Sequence, residues 1–165
     1  MQRLLDTSVF AEKAGNLYAV LDAARDARVT TFAEQGVGRC LYRGESAIRL
    51  KDYAPYLVAI PDHATVSAIM KLFWGRSVGV FLETDEPFDS LWSHLRRFTL
   101  VELPNESVAY FRFYDPRVLR TFLPTCSAGQ RGEFFGKTTA MYTESYSPDR
   151  AWRFEPGGGF ESFEV

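Results

Sequence analysis

Hydrophobic residues recur along this chain in short blocks of two different periods. Leu17 to Asp22 is a mostly apolar run, as a buried strand requires, and Tyr56 to Ile60 is another, introduced by Pro55 and closed by Pro61. Cys40 to Tyr42 and Val78 to Leu82 read as further strands. Between them Val66, Ile69, Met70 and Phe73 repeat at helical spacing, with Asp62 placed to cap that helix and Gly75 to end it. A second helix is predicted from about Phe88 to Arg97, with Phe88, Leu91, Trp92 and Leu95 as its apolar stripe. Acidic residues from Glu83 to Glu86 precede it and Arg96 and Arg97 close it, the charge order that a helix dipole favours. Thr99 to Leu103 and Val108 to Tyr114 form a hairpin across Pro104-Asn105-Glu106. Thr138 to Tyr146 and Ala151 to Glu155 read as a final strand pair, preceded by a helix near Gln130 to Phe135. Shorter signals suggest a helical turn at Thr31 to Gln35, a helix or loop at Ala47 to Ala54, and an amphipathic helix on Leu4, Leu5, Val9 and Phe10 that Gly15-Asn16 breaks.

The segment 109–124 carries the densest information. Ala109, Phe111 and Phe113 alternate with Tyr110, Arg112 and Tyr114, which predicts a strand with a basic-aromatic outer face. Asp115 is a helix cap and Pro116 suits the first helical position, where its missing N–H needs no partner. Val118, Leu119, Phe122 and Leu123 make an apolar stripe that Pro124 ends. Arg117 and Arg120 extend the basic face. Such a patch suits protein recognition better than bond-breaking chemistry. Arg112 has a second reading, in which it ties its strand to a neighbouring acidic residue. Trp74 divides in the same way between a core role and an exposed anchor.

These elements predict one α+β or α/β domain over residues 1–155: a mixed, largely buried β-sheet flanked by the helices at 62–74, 88–97 and 116–123. Pro156-Gly157-Gly158-Gly159 predicts a flexible tail over 156–165. A chain of 165 residues, 46% of them hydrophobic, is large enough to fold on its own core. Net charge is −2 with no run of like charge, which argues against a nucleic-acid tract or a polybasic membrane anchor. Asp6 and Glu12 interrupt any secretory leader, and Cys40 and Cys126 form no CxxC, so a cytoplasmic chain with reduced thiols is expected.

Candidate chemistry is sparse. Gly75-Arg76-Ser77-Val78-Gly79 fits G-x-S-x-G, and Asp85 or Asp89 and then His94 follow, so a small serine hydrolase using Ser77 is the alternative reading. That motif needs a strand before the serine and a helix after it, whereas here a helix precedes and a strand follows. Gly75 already serves as a helix end and Gly79 as a close-packing position. His94 is expected to be solvated near a helix C-terminus and His63 exposed in a first helical turn. Neither has cysteine or carboxylate neighbours at metal-ligand spacing, so no metal and no cofactor is expected. Cys126 reads as an inert thiol.

The stretch FRFYDPRVLRTFLP at 111–124 resembles the core motif of the domain of unknown function 4123. In the same order stand LYAVLDAARD (17–26), CLYRGE (40–45), APYLVAI (54–60), WGRSVGVFLETD (74–85), LWSHLRRF (91–98) and FFG (134–136), so the likeness covers about residues 15–155. The resemblance implies a bacterial adaptor chaperone, without enzymatic activity. Such a protein holds a type VI secretion effector in the cytoplasm and helps load it onto the spike tip protein. Its partners would be those two proteins, with no nucleic acid and no membrane. On that reading Arg112, Tyr114, Arg117, Arg120, Trp74 and Arg76 are the partner-binding residues, with Asp115 and Pro116 as the structural cap. Longer members carry a further C-terminal region, so this chain is expected to correspond to the core domain.

Overall fold

A computed structural model describes Phe10 and residues 16–165. The expected N-terminal helix lies outside the described residues, apart from Phe10. The strands are β1 (Asn16–Asp22), β2 (Gly38–Cys40), β3 (Pro55–Ile60), β4 (Gly79–Thr84), β5 (Leu100–Glu102), β6 (Val108–Tyr110), β7 (Thr138–Glu144), β8 (Arg150–Phe154) and β9 (Phe160–Glu164). The helices are α1 (Arg28–Gln35), α2 (Gly44–Arg49), α3 (His63–Phe73), α4 (Phe88–Leu95), α5 (Pro116–Thr125) and α6 (Ala128–Phe135). Short 3-10 turns follow α2 at Lys51–Tyr53 and α4 at Arg96–Phe98.

Seven strands form one sheet in the order β2-β3-β1-β4-β7-β8-β9, and β5 and β6 form a separate hairpin. Every pairing is antiparallel, so the fold is α+β and the mixed sheet expected from the sequence is corrected. The physical reason is the position of β1. It lies between β3 and β4, with Leu17 opposite Ile60 on one side and Tyr18 opposite Leu82 on the other. β3 and β4 therefore run parallel through the α3 crossover without touching, a split βαβ unit.

The sheet is buried on both faces, which is why its central strands read as unbroken apolar runs. Leu17, Ala19 and Leu21 of β1 join Val58, Ile60 and Phe81 under α1 and α3. Tyr18 and Val20 point the other way, with Leu57, Val80, Leu82 and Met141, under α4, α5 and α6. The predicted stripe Val66, Ile69, Met70 and Phe73 on α3 is buried, and on α4 Leu91 and Leu95 are buried while Phe88 and Trp92 are only partly so, packed against the same layer. Asp62 caps α3 by accepting from the Thr65 amide at 2.8 Å.

Two further expectations fail for local reasons. Residues 156–165 are not a loose tail. Pro156 to Gly159 make a turn, closed by Glu155 N–H to Gly159 O at 2.9 Å, and β9 pairs with β8 beyond it. The glycines supply the reversal, while Phe160 stacks on Trp152 with ring centroids 5.2 Å apart. Pro124 does not end its helix either. It sits inside the last turn of α5, which runs to Thr125.

Candidate functional site

The chain leaves β6 at Tyr110, four residues earlier than strand alternation predicts. Phe113 and Tyr114 are consecutive and both are buried, so the segment turns there instead of alternating. Phe113 meets Phe134 edge-on, with centroids 5.5 Å apart. The Tyr114 phenol lies 3.3 Å from the Tyr42 phenol in the core. Burial pushes its pKa far up, so it stays neutral. Tyr114, expected on the partner-binding face, is thus a core residue.

The turn carries Asp115 to the start of α5. Its carboxylate accepts from the Arg117 amide at 3.0 Å and is gripped by the Arg117 side chain, Nε at 3.0 Å and Nη2 at 2.7 Å. Burial pushes the Asp115 pKa up, but these hydrogen bonds and the guanidinium charge outweigh it and hold the carboxyl below its ordinary value. Pro116 is buried at the first helical position. Both cap assignments hold.

The arginines have fixed places. Arg112 pairs with Asp22, the last residue of β1, whose side chain is wholly buried while that of Arg112 is 41% exposed. Arg112 therefore ties its segment to an acidic neighbour, the structural reading of the two. Burial raises the Asp22 pKa, and Arg112 draws it back only in part. Arg120 is half-buried and donates to the Glu144 carbonyl, and its guanidinium lies over the exposed Tyr146 ring at 4.6 Å. Arg117 is exposed beyond its grip on Asp115. Trp74 is partly buried, and its indole N–H donates to the Pro148 carbonyl at 2.8 Å. Arg76 is exposed on the loop between α3 and β4.

That loop holds the G-x-S-x-G stretch. Ser77 adopts φ 55° and Gly75 φ 76°, so the reversal from helix to strand runs through the left-handed region. The Glu144 carboxylate clamps it, accepting from Gly75 N at 2.7 Å, Ser77 N at 2.8 Å and Ser77 Oγ at 3.0 Å. A side chain at Gly79 would collide with the Val20 carbonyl across the sheet. His94 belongs to α4, on the opposite face of the sheet. Its Nε2 hydrogen-bonds the Phe134 carbonyl at 2.8 Å and its Nδ1 meets Arg97 at 2.9 Å. It is not the solvated residue the sequence suggested. Cys126 is buried, and burial raises its thiol pKa.

Sequence reasoning missed three participants. Asp22 looked like the end of an apolar strand, and Glu144 like one polar position in another. Nothing local marks either as a buried carboxylate. The third, Phe134, is the hub of an aromatic cluster with Phe98, Phe111, Phe113 and Phe122. Its helix carried a legible signal, the capping box Ser127-x-x-Gln130, which the structure forms with both reciprocal bonds.

The arrangement is a motif whose aromatic side chains close the core and whose arginines stand fixed at one end of the sheet. The family description "Domain of unknown function (DUF4123)" matches residues 17–133, and the chain belongs to that family. No curated protein and no solved structure matches it.

Proposed function

We propose that this domain is a non-enzymatic adaptor chaperone that binds a type VI secretion effector in the bacterial cytoplasm and promotes its loading onto the spike tip protein. Family membership supports the reading. So does the state of the motif arginines, the observation that carries it. Arg112 and Arg117 are each held by a buried carboxylate, yet both side chains stay partly in solvent. Pre-ordered arginines lose little freedom on binding and favour interface hot spots. The Ser77 hydroxyl is bonded to a carboxylate rather than a histidine, and its loop runs from helix to strand, which favours this reading over hydrolysis. No helix among the described residues is long and apolar enough to cross a membrane.

The test is co-expression with candidate type VI effector and spike tip proteins. Both should co-purify with the tagged adaptor, and the purified protein should not turn over p-nitrophenyl butyrate. Ester turnover that vanishes in Ser77→Ala would replace the adaptor by the hydrolase.

A further inference from the structure

A second basic site lies apart from the motif arginines. Arg43 precedes α2, Arg96 and Arg97 follow α4, and with Tyr42, Ser46, Thr99, Leu100 and Tyr110 they line a cleft of about 270 Å³. No carboxylate pairs with Arg43, Arg96 or Arg97 among the described residues, although most other arginines near the sheet ends have one. Arg96 stacks over Trp92 at 3.9 Å, and its Nε is buried without a hydrogen-bond partner. Burial pushes the Arg96 pKa down, and Arg43 pushes it the same way, so the cleft holds unrelieved positive charge. Tyr110 has a structured place in the wall: its ring lies 4.7 Å from Tyr42 and its hydroxyl 3.4 Å from Ser46. Leu100, directly opposite Tyr110 across the hairpin, is 47% exposed, and Val108 on the same face is 66% exposed.

We propose that this cleft between α2, the turn after α4 and the β5–β6 hairpin binds an acidic segment of a partner protein, seating a carboxylate on Arg43, Arg96 and Arg97 and an adjacent apolar side chain on Tyr110 and Leu100. The chemistry follows from the lining. Guanidinium forks match carboxylates bidentately, and three arginines with no carboxylate of their own among the described residues offer that match here. The exposed apolar hairpin gives the second half of the contact, since aromatic residues and arginine are the side chains enriched at interfaces. The identity of the partner as an effector or spike protein rests on the adaptor reading, but the cleft itself is testable without it.

The protein is titrated with a capped peptide of alternating glutamate and leucine while arginine Nε–Hε resonances are followed by NMR. The Arg96 signal and the Tyr110 amide should shift. Arg43→Glu should weaken the peptide about tenfold or more, a reversed charge in a binding site, while melting as the parent does. Tyr110→Ala should weaken it less. Unmoved arginine signals, or equal affinity in Arg43→Glu, would overturn the proposal. Saturation by inorganic phosphate without a response to the peptide would overturn it too, leaving a small-anion site. A pull-down with the co-expressed partners separates the two readings. Capture that survives Arg43→Glu removes the cleft and keeps the adaptor. Absence of capture by the parent removes the adaptor, and the peptide titration still decides the cleft.

Discussion

Single residues in the motif carry opposite electrostatic signs. Asp115 is an ionised carboxylate that the fold favours, and Asp22 is one that the fold only tolerates. Asp115→Ala removes a cap and an arginine grip together, so it should cost about 2 kcal/mol, the upper end for such caps. For a domain of this size that is a fall of roughly 4–8 °C in Tm. Because the folded pKa of Asp115 lies below its unfolded value, its contribution is present above about pH 4 and fades as pH drops through the folded value. The gap between parent and variant in thermal melts should narrow there. Arg112→Ala tests the other case. It strands the buried Asp22 carboxylate and should cost about 3 kcal/mol, the low end for a broken buried pair, because Arg112 is itself partly solvated. The folded pKa of Asp22 is already raised, and losing its cation raises it further. Protonation then favours the folded variant, so its deficit should shrink as pH falls. A deficit constant with pH would assign the loss to packing instead.

Elements were legible in the sequence wherever one pattern dominated. α3 and α4 declared themselves by stripe and charge order, and β1 and β3 by apolar runs, because those segments meet the same requirement along their whole length. Segment 109–124 was legible in part. Its cap came through and its strand length did not, since Tyr114 turns inward to meet Tyr42, 72 positions away in sequence. The pairing of Arg112 with Asp22, 90 positions apart, is equally a product of topology. The same holds for β9, where glycines that signal freedom in isolation make a tight reversal once β8 offers a ladder. α6 joins these pieces. Phe134, 1% exposed, touches aromatic rings from the turn after α4, the segment after β6, and α5. Phe134→Ala should therefore cost about 3–5 kcal/mol, as for other large aromatic core truncations, and lower the urea midpoint without changing the slope. A smaller loss would mean that the cluster closes around the gap.

At the scale of the whole molecule, charge is nearly balanced, −2 overall, yet unevenly placed. Arg112, Arg117 and Arg120 stand at one end of the sheet, and Arg43, Arg96 and Arg97 line the cleft beside the hairpin. Small net charge removes long-range attraction, so any electrostatic help to partner binding must act locally, within about one screening length, roughly 10 Å at 0.1 M salt. Contacts of that kind weaken steeply with ionic strength, while the folded domain, held by two apolar layers, does not. The association rate of purified effector should fall about tenfold or more between about 0.05 and 0.5 M sodium chloride, with Tm nearly unchanged. Arg117→Gln offers the cleaner variant for the motif end. It removes an exposed charge without setting a carboxylate against Asp115, whereas Arg117→Glu would do so and confuse binding with folding. It should slow association and flatten the salt dependence while the backbone cap to Asp115 persists. A salt-independent rate would show that the arginines serve the fold alone, and that the partner is held by the apolar hairpin.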